Sequence, residues 1–151
     1  MREQSGRSLV EIIGVLAIGA TMVAATYAAY RSTNERQKRF VASETLKDIA
    51  QKTKTLLEYT GYTPVSVSYL VAAGALDNDK SPLGGNDWSI TSNFDGSEFS
   101  INLTDLSFDE CAYFTTKKFD WTTRLVVNGY DSSASSFCMR SGANKVSFLV
   151  K

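Results

Sequence analysis

The chain contains no histidine and only two cysteines and two prolines, and its sixteen basic residues are matched by sixteen acidic ones. Without histidine it lacks the commonest general base, metal ligand and near-neutral pH switch. Two cysteines cannot supply a four-thiolate zinc site or a disulfide-dense scaffold, although they can form one bridge. A net charge of zero removes the basic excess expected of a general nucleic-acid binder. There is no Gly-x-Ser-x-Gly elbow and no Gly-rich phosphate loop. No catalytic residue, cofactor or metal is expected, and the chain does not read as an enzyme. Its 151 residues are one domain's worth of sequence with room for an appended element.

The mean hydropathy of −0.15 conceals one long apolar run. Leu9 to Tyr30 is 22 residues with a single charge, Glu11, and from Ile12 onward only Thr21 and Thr26 interrupt it. As a helix, Ile12–Tyr30 spans roughly 28 Å, about the hydrocarbon thickness of a bilayer. A soluble core helix is amphipathic, whereas this one is apolar all round, which predicts a membrane span. Arg2, Arg7 and the small residues at Ala17-Ile18-Gly19 also admit a cleaved secretory signal. Glu11 argues against that: a charge in such a run costs roughly 2.5–3.5 kcal/mol at the helix centre, less near the interface, and a signal peptide gains nothing from it. An unpaired intramembrane acid implies a partner from another chain. Ala20, Ala24 and Ala28 at four-residue spacing, with Gly14 and Gly19 nearby, would let helices pack closely.

Gly6-Arg7-Ser8-Leu9-Val10-Glu11 followed by an apolar helix resembles the processing site of type IV prepilins. The resemblance implies that 1–6 is a leader removed by a prepilin peptidase between Gly6 and Arg7. It implies N-methylation of the new terminus at Arg7 and a role for Glu11 in assembly. In a filament core the freed α-amino group of one subunit would neutralise Glu11 of a neighbour; breaking a buried pair of this kind costs several kcal/mol, about 3–5. Arg7 departs from the aromatic or Met usual at that position. Arg31, Arg36, Lys38 and Arg39 follow the span, which by the positive-inside rule would place the C-terminal part in the cytoplasm. The resemblance places it outside, and that orientation is the expectation here.

Between Arg31 and Tyr59 there is no Gly or Pro, and Phe40, Val41, Ala42, Leu46, Ile49, Ala50, Thr53, Leu56 and Leu57 recur at helical spacing. The spacing predicts one helix from Leu9 to Tyr59, stopped by Gly61 and Pro64. Thr63-Pro64 reads as cap and first residue of a short second helix running to Ala73. Residues 77–87 form a loop that opens like a calcium site at Asp77 and Asp79, but Pro82 and Trp88 occupy the positions that need Gly and Glu. Trp88–Thr91 and Glu98–Leu103 alternate around Asp95-Gly96 as a hairpin. Ser107-x-x-Glu110 is a capping box opening a helix through Cys111, Phe114 and Phe119. Leu125–Val127 and Val146–Val150 are two more strands, with Asn128-Gly129 as a turn and Tyr130–Ser136 as a polar, Ser-rich loop. Asn102-Leu103-Thr104 matches a glycosylation acceptor but receives no role.

The expected fold class is therefore α+β, the type IV pilin fold: a long N-terminal helix, transmembrane then amphipathic, packed against a C-terminal antiparallel sheet. The expected divisions are the leader 1–6, a membrane and filament-core helix 7–30, an amphipathic half 31–60, and a head 61–151. Cys111 and Cys138 are read either as one bridge in an oxidising compartment or as two free thiols; the membrane span favours the bridge. A C-terminal cysteine pair around a variable loop also resembles the pilin family, and Ser81–Gly85 with Val126–Gly129 is similar to its type IVb-like members. The resemblance implies a structural subunit that starts in a bacterial inner membrane and moves to an extracellular pilus. Its partners would be further copies of itself, other pilins, the peptidase, the membrane and an inner-membrane assembly platform, with no nucleic acid. Alternatives are a minor pilin, a type II secretion pseudopilin, or an adhesive or DNA-uptake pilin using Tyr113, Phe114, Trp121, Tyr130 or the patch Lys117-Lys118-Arg124. The neutral total also hides segregation. Residues 31–60 carry seven basic and four acidic groups, and residues 61–151 seven against ten.

Overall fold

The computed structural model describes residues 9–84, 87–131 and 137–151. The first helix, α1, runs Leu9–Leu57. It is followed by α2 (Val67–Ala72), β1 (Trp88–Ser92), β2 (Phe99–Leu106), α3 (Phe108–Thr116), β3 (Arg124–Val127) and β4 (Asn144–Val150). The chain falls into two compact units, Met1–Lys38 and Arg39–Lys151, and each is described by itself.

In the first unit the helix presents its apolar side chains to the surroundings. Leu9, Val10, Ile12, Ile13, Val15, Leu16, Ile18, Met22 and Val23 are 48–75 % exposed. The hydroxyls of Thr21 and Thr26 return to the helix's own carbonyls at Ile18 and Met22, both at 2.8 Å, which removes two polar groups from the apolar surface. The segment is long and apolar enough to cross a membrane.

In the second unit the fold is α+β. The four strands form one antiparallel sheet in the order β1-β2-β4-β3. The register lines up Ile90, Ile101, Phe148 and Leu125 in one row across all four strands. That row, with Phe99, Leu103, Val146 and Val150, faces a core completed by Ala42, Leu46, Ile49, Ala50 and Leu57 of α1. Helical spacing brings those α1 residues onto one stripe, as their sequence periodicity predicts. Phe40, Val41 and Leu56, expected on the same stripe, lie off it and are exposed. Phe148 is the centre of an aromatic cluster with Phe114, Phe119 and Trp121 at 5.4–5.6 Å.

α1 ends at Leu57, and Gly61 closes it in the left-handed conformation (φ 78°), its N–H donating to the Leu57 carbonyl at 3.0 Å. The second helix does not start at Pro64. Thr63-Pro64 lies in a turn closed by Val65 N–H on the Tyr62 carbonyl, and Ser66 caps a helix that begins at Val67. The Ser107/Glu110 capping box forms in both directions. The helix it opens ends at Thr116, so Phe119 lies beyond it and reaches the core from a loop. β4 begins two residues earlier than Val146, at Asn144. Asn128-Gly129 does turn the chain, both with positive φ, bringing Tyr130 back against Val127; the Ser-rich loop expected at 130–136 lies, from 132 on, outside the described residues.

Candidate functional site

Glu11 sits in the first turn of α1 among exposed apolar residues. An acidic group there suits the positive end of the helix dipole. Gly6 and Arg7, the proposed cleavage and methylation positions, lie outside the described residues. Gly14 and Gly19 have open space where a Cβ would stand, so within the chain nothing requires glycine there.

Cys111 and Cys138 are joined in a disulfide across 27 positions. Cys111, on α3, is fully buried, and Thr115 packs a turn later beside the Cys138 sulfur at 3.9 Å. The returning segment is fastened a second time by Asn144, whose side chain is fully buried. Its Nδ2 donates to the carbonyls of Leu106 (3.1 Å) and Met139 (3.0 Å). Its Oδ1 accepts from Met139 N–H (2.7 Å) and from Asn128 Nδ2 (2.9 Å). Asn128 in turn donates to the Phe137 carbonyl at 2.7 Å and accepts from Lys145 N–H. The two asparagines thus hold Phe137 and Met139, the residues on either side of Cys138. Neither was singled out for this role by the sequence, because their partners are distant in the chain. The only signal was Asn128-Gly129, read as a turn.

On the sheet face away from the core, Asn102 donates to Thr91 Oγ1 at 3.1 Å and accepts from Ser147 at 2.6 Å. This engaged, buried amide is a poor glycosylation acceptor. Of the cation patch, Lys117 turns inward. Its Nζ donates to Ser43 Oγ at 2.9 Å and lies 5.4–5.8 Å from the rings of Phe40, Tyr113 and Phe119. Arg124 is bonded to Asp131 at 2.9 Å. Tyr130 stacks on Phe137 with centroids 5.0 Å apart, while Phe114 belongs to the core. The patch therefore offers less free positive charge than its sequence suggests.

The arrangement defines a class: an apolar helix able to anchor in a membrane, and an α+β unit with one disulfide. No known family model and no curated protein matches this sequence.

Proposed function

We propose that the chain is a structural subunit of a type IV pilus or a related filament, made as a membrane-held prepilin. The observation that carries this reading is the first unit of α1, an apolar helix exposed along its length with one carboxylate in its first turn. Bilayer first, and neighbouring helices later, would cover that surface. Cleavage after Gly6 by a prepilin peptidase would free the α-amino group of Arg7, the candidate for methylation. That ammonium would then meet Glu11 of a neighbouring subunit. The disulfide-bonded head would form the outer surface once outside the cytoplasm, and a bridge of this kind persists in an oxidising compartment. The same features serve a minor pilin or a secretion pseudopilin.

Intact mass measurement of sheared surface filaments tests the reading. It predicts a chain beginning at Arg7 and two hydrogens lighter than its reduced form. Glu11→Ala leaves membrane insertion intact and reduces filament yield by roughly a hundredfold, the equivalent of a few kcal/mol. Normal filaments from that variant would refute the pairing, and an uncleaved chain confined to the membrane would refute the pilin reading.

A further inference from the structure

The turn between β1 and β2 carries Phe94 fully exposed, although a large aromatic there does nothing for the fold. The turn itself is rigid. Asn93 N–H donates to the Glu98 carbonyl at 3.0 Å, and Gly96 N–H returns to the Asn93 carbonyl at 3.2 Å. The Asp95 carboxylate accepts from Ser97 N–H and Oγ, and Asn93 Oδ1 accepts from Glu98 N–H. From behind, Tyr62 N–H donates to the Gly96 carbonyl at 2.9 Å. Gly96 (φ 69°) lies so close to Thr63 that a Cβ would strike its hydroxyl. An exposed aromatic on a braced turn is a pre-organised contact, with little ordering entropy left to lose on binding. Asp95 and Glu98 make its surroundings acidic.

Elsewhere in the same unit, a groove of about 310 Å³ lies between α1 and the loop after α3. Ala50 and the half-buried Trp121, stacked on Phe148 at 5.5 Å, give it an apolar floor. Lys47 and Lys54 flank it, their aliphatic stems adding apolar wall and their ammonium groups positive charge. Asp120 stands 3.5 Å from Lys47, which leaves Lys54 as the cation for an incoming acid. Being fully exposed, Phe94 does not fill the groove of its own chain.

We propose that Phe94 of one copy seats in the Lys47–Lys54–Trp121 groove of a second copy, with Asp95 paired to Lys54. The ring would meet the edge of Trp121, and the opposite charges would fix its direction of entry. This rests on the self-assembly reading for the identity of the partner and adds a contact made by the heads alone. Knob and groove are different surfaces, so the contact is head-to-tail. Repeated, such a contact gives a ring or an open helical array rather than a closed dimer.

The test uses the full chain in detergent micelles, with Phe94 replaced by the photo-crosslinker p-benzoylphenylalanine. Irradiation is expected to yield covalent dimers with the adduct in 47–54 or 120–121 of the second copy; adducts elsewhere, or none, overturn the proposal. Asp95→Asn, whose amide oxygen still accepts from Ser97, and Lys54→Gln are each expected to weaken self-association in sedimentation roughly tenfold, and the double variant no more than either alone. Additive losses in the double variant also overturn it. Phe94→Ala, whose side chain touches no core, keeps the fold and loses roughly tenfold or more in association. Filaments lost with Glu11→Ala but normal with Phe94→Ala would sink the knob alone. Cross-linked pairs from a chain that forms no filaments in cells would sink the filament reading alone.

Discussion

Asn144→Ala is expected to destabilise the Arg39–Lys151 unit more than any change to a surface residue. The amide makes four hydrogen bonds from a fully buried position, two donated and two accepted. Each is worth about 1 kcal/mol net, and a buried group left unpaired costs about 1–3 kcal/mol. Met139 is half exposed, so water can satisfy its N–H and carbonyl after the change, and Asn128 keeps its bond to Phe137. The Leu106 carbonyl has no such relief. Allowing for that rehydration, the loss comes to about 3 kcal/mol rather than the full four-bond sum. Urea unfolding of the full chain in detergent, followed by Trp88 and Trp121 fluorescence, should show the midpoint falling by roughly 1–3 M at an unchanged slope. Asn144→Asp is a sharper form of the test. A carboxylate can accept from Met139 and Asn128 but can donate to neither the Leu106 nor the Met139 carbonyl, and burial against those two oxygens raises its pKa more than the two N–H donors lower it. The variant's stability should therefore fall as pH rises through that folded value and be partly regained in acid, where the protonated group can donate. A cost below 1 kcal/mol for the alanine variant, or no such pH trend for the aspartate, would refute the clamp.

Two further outcomes follow from the same unit. Replacing both Cys111 and Cys138 by serine should cost about 3.5 kcal/mol for the 27-residue separation on the chain-entropy relation; a midpoint equal to that of the native chain would show that the Asn144 clamp closes the loop unaided. Tyr62 has its phenol pKa raised above the ordinary 10.0, first by burial and then by the Glu58 carboxylate. The unfolded chain therefore ionises first, so the contribution is complete below pH 10 and is lost as pH climbs through the folded value. Tyr62→Phe should flatten the stability decline above pH 10, and identical slopes would contradict the assignment.

What the sequence made legible was local. Gly61 needed only its own positive φ, Ser107 and Glu110 lie three residues apart, and the hairpin signal at Asp95-Gly96 sits between two alternating runs. The misreadings have equally local causes. Thr63-Pro64 satisfies the rule for a helix start, but Ser66 satisfies it too, and the Tyr62–Val65 turn takes the proline first. Phe40 looked like core by spacing, yet its ring lies beside the Lys117 ammonium 77 positions along the chain. Asn144 could not be read at all. Its value comes from Leu106, Asn128 and Met139, which only the register of β2, β3 and β4 assembles. Glu11 was legible because apolar residues surround it in sequence, so its cost needs no tertiary structure to be seen.

That cost can be weighed against what surrounds it. The nine large apolar side chains from Leu9 to Val23 are each at least half or nearly half exposed. Covering them gains on the order of 10 kcal/mol at about 25 cal/mol per Å². This is comparable to the whole stability of a typical domain, about 5–15 kcal/mol, so an uncovered helix would drive aggregation before it reached equilibrium as a monomer. One first-turn carboxylate, at less than the roughly 2.5–3.5 kcal/mol of a charge at the helix centre, is a small deduction from that gain, and the helix can enter an apolar phase carrying it. The deduction matters only in choosing between apolar environments. Lipid and a bundle of neighbouring helices cover the apolar side chains about equally well, so the large term cancels between them. What remains is the small one: Glu11 would be unpaired in lipid and neutralised beside a neighbour's ammonium. In the proposed filament, a single charge of modest cost would thus bias the helix out of the bilayer and into the assembly.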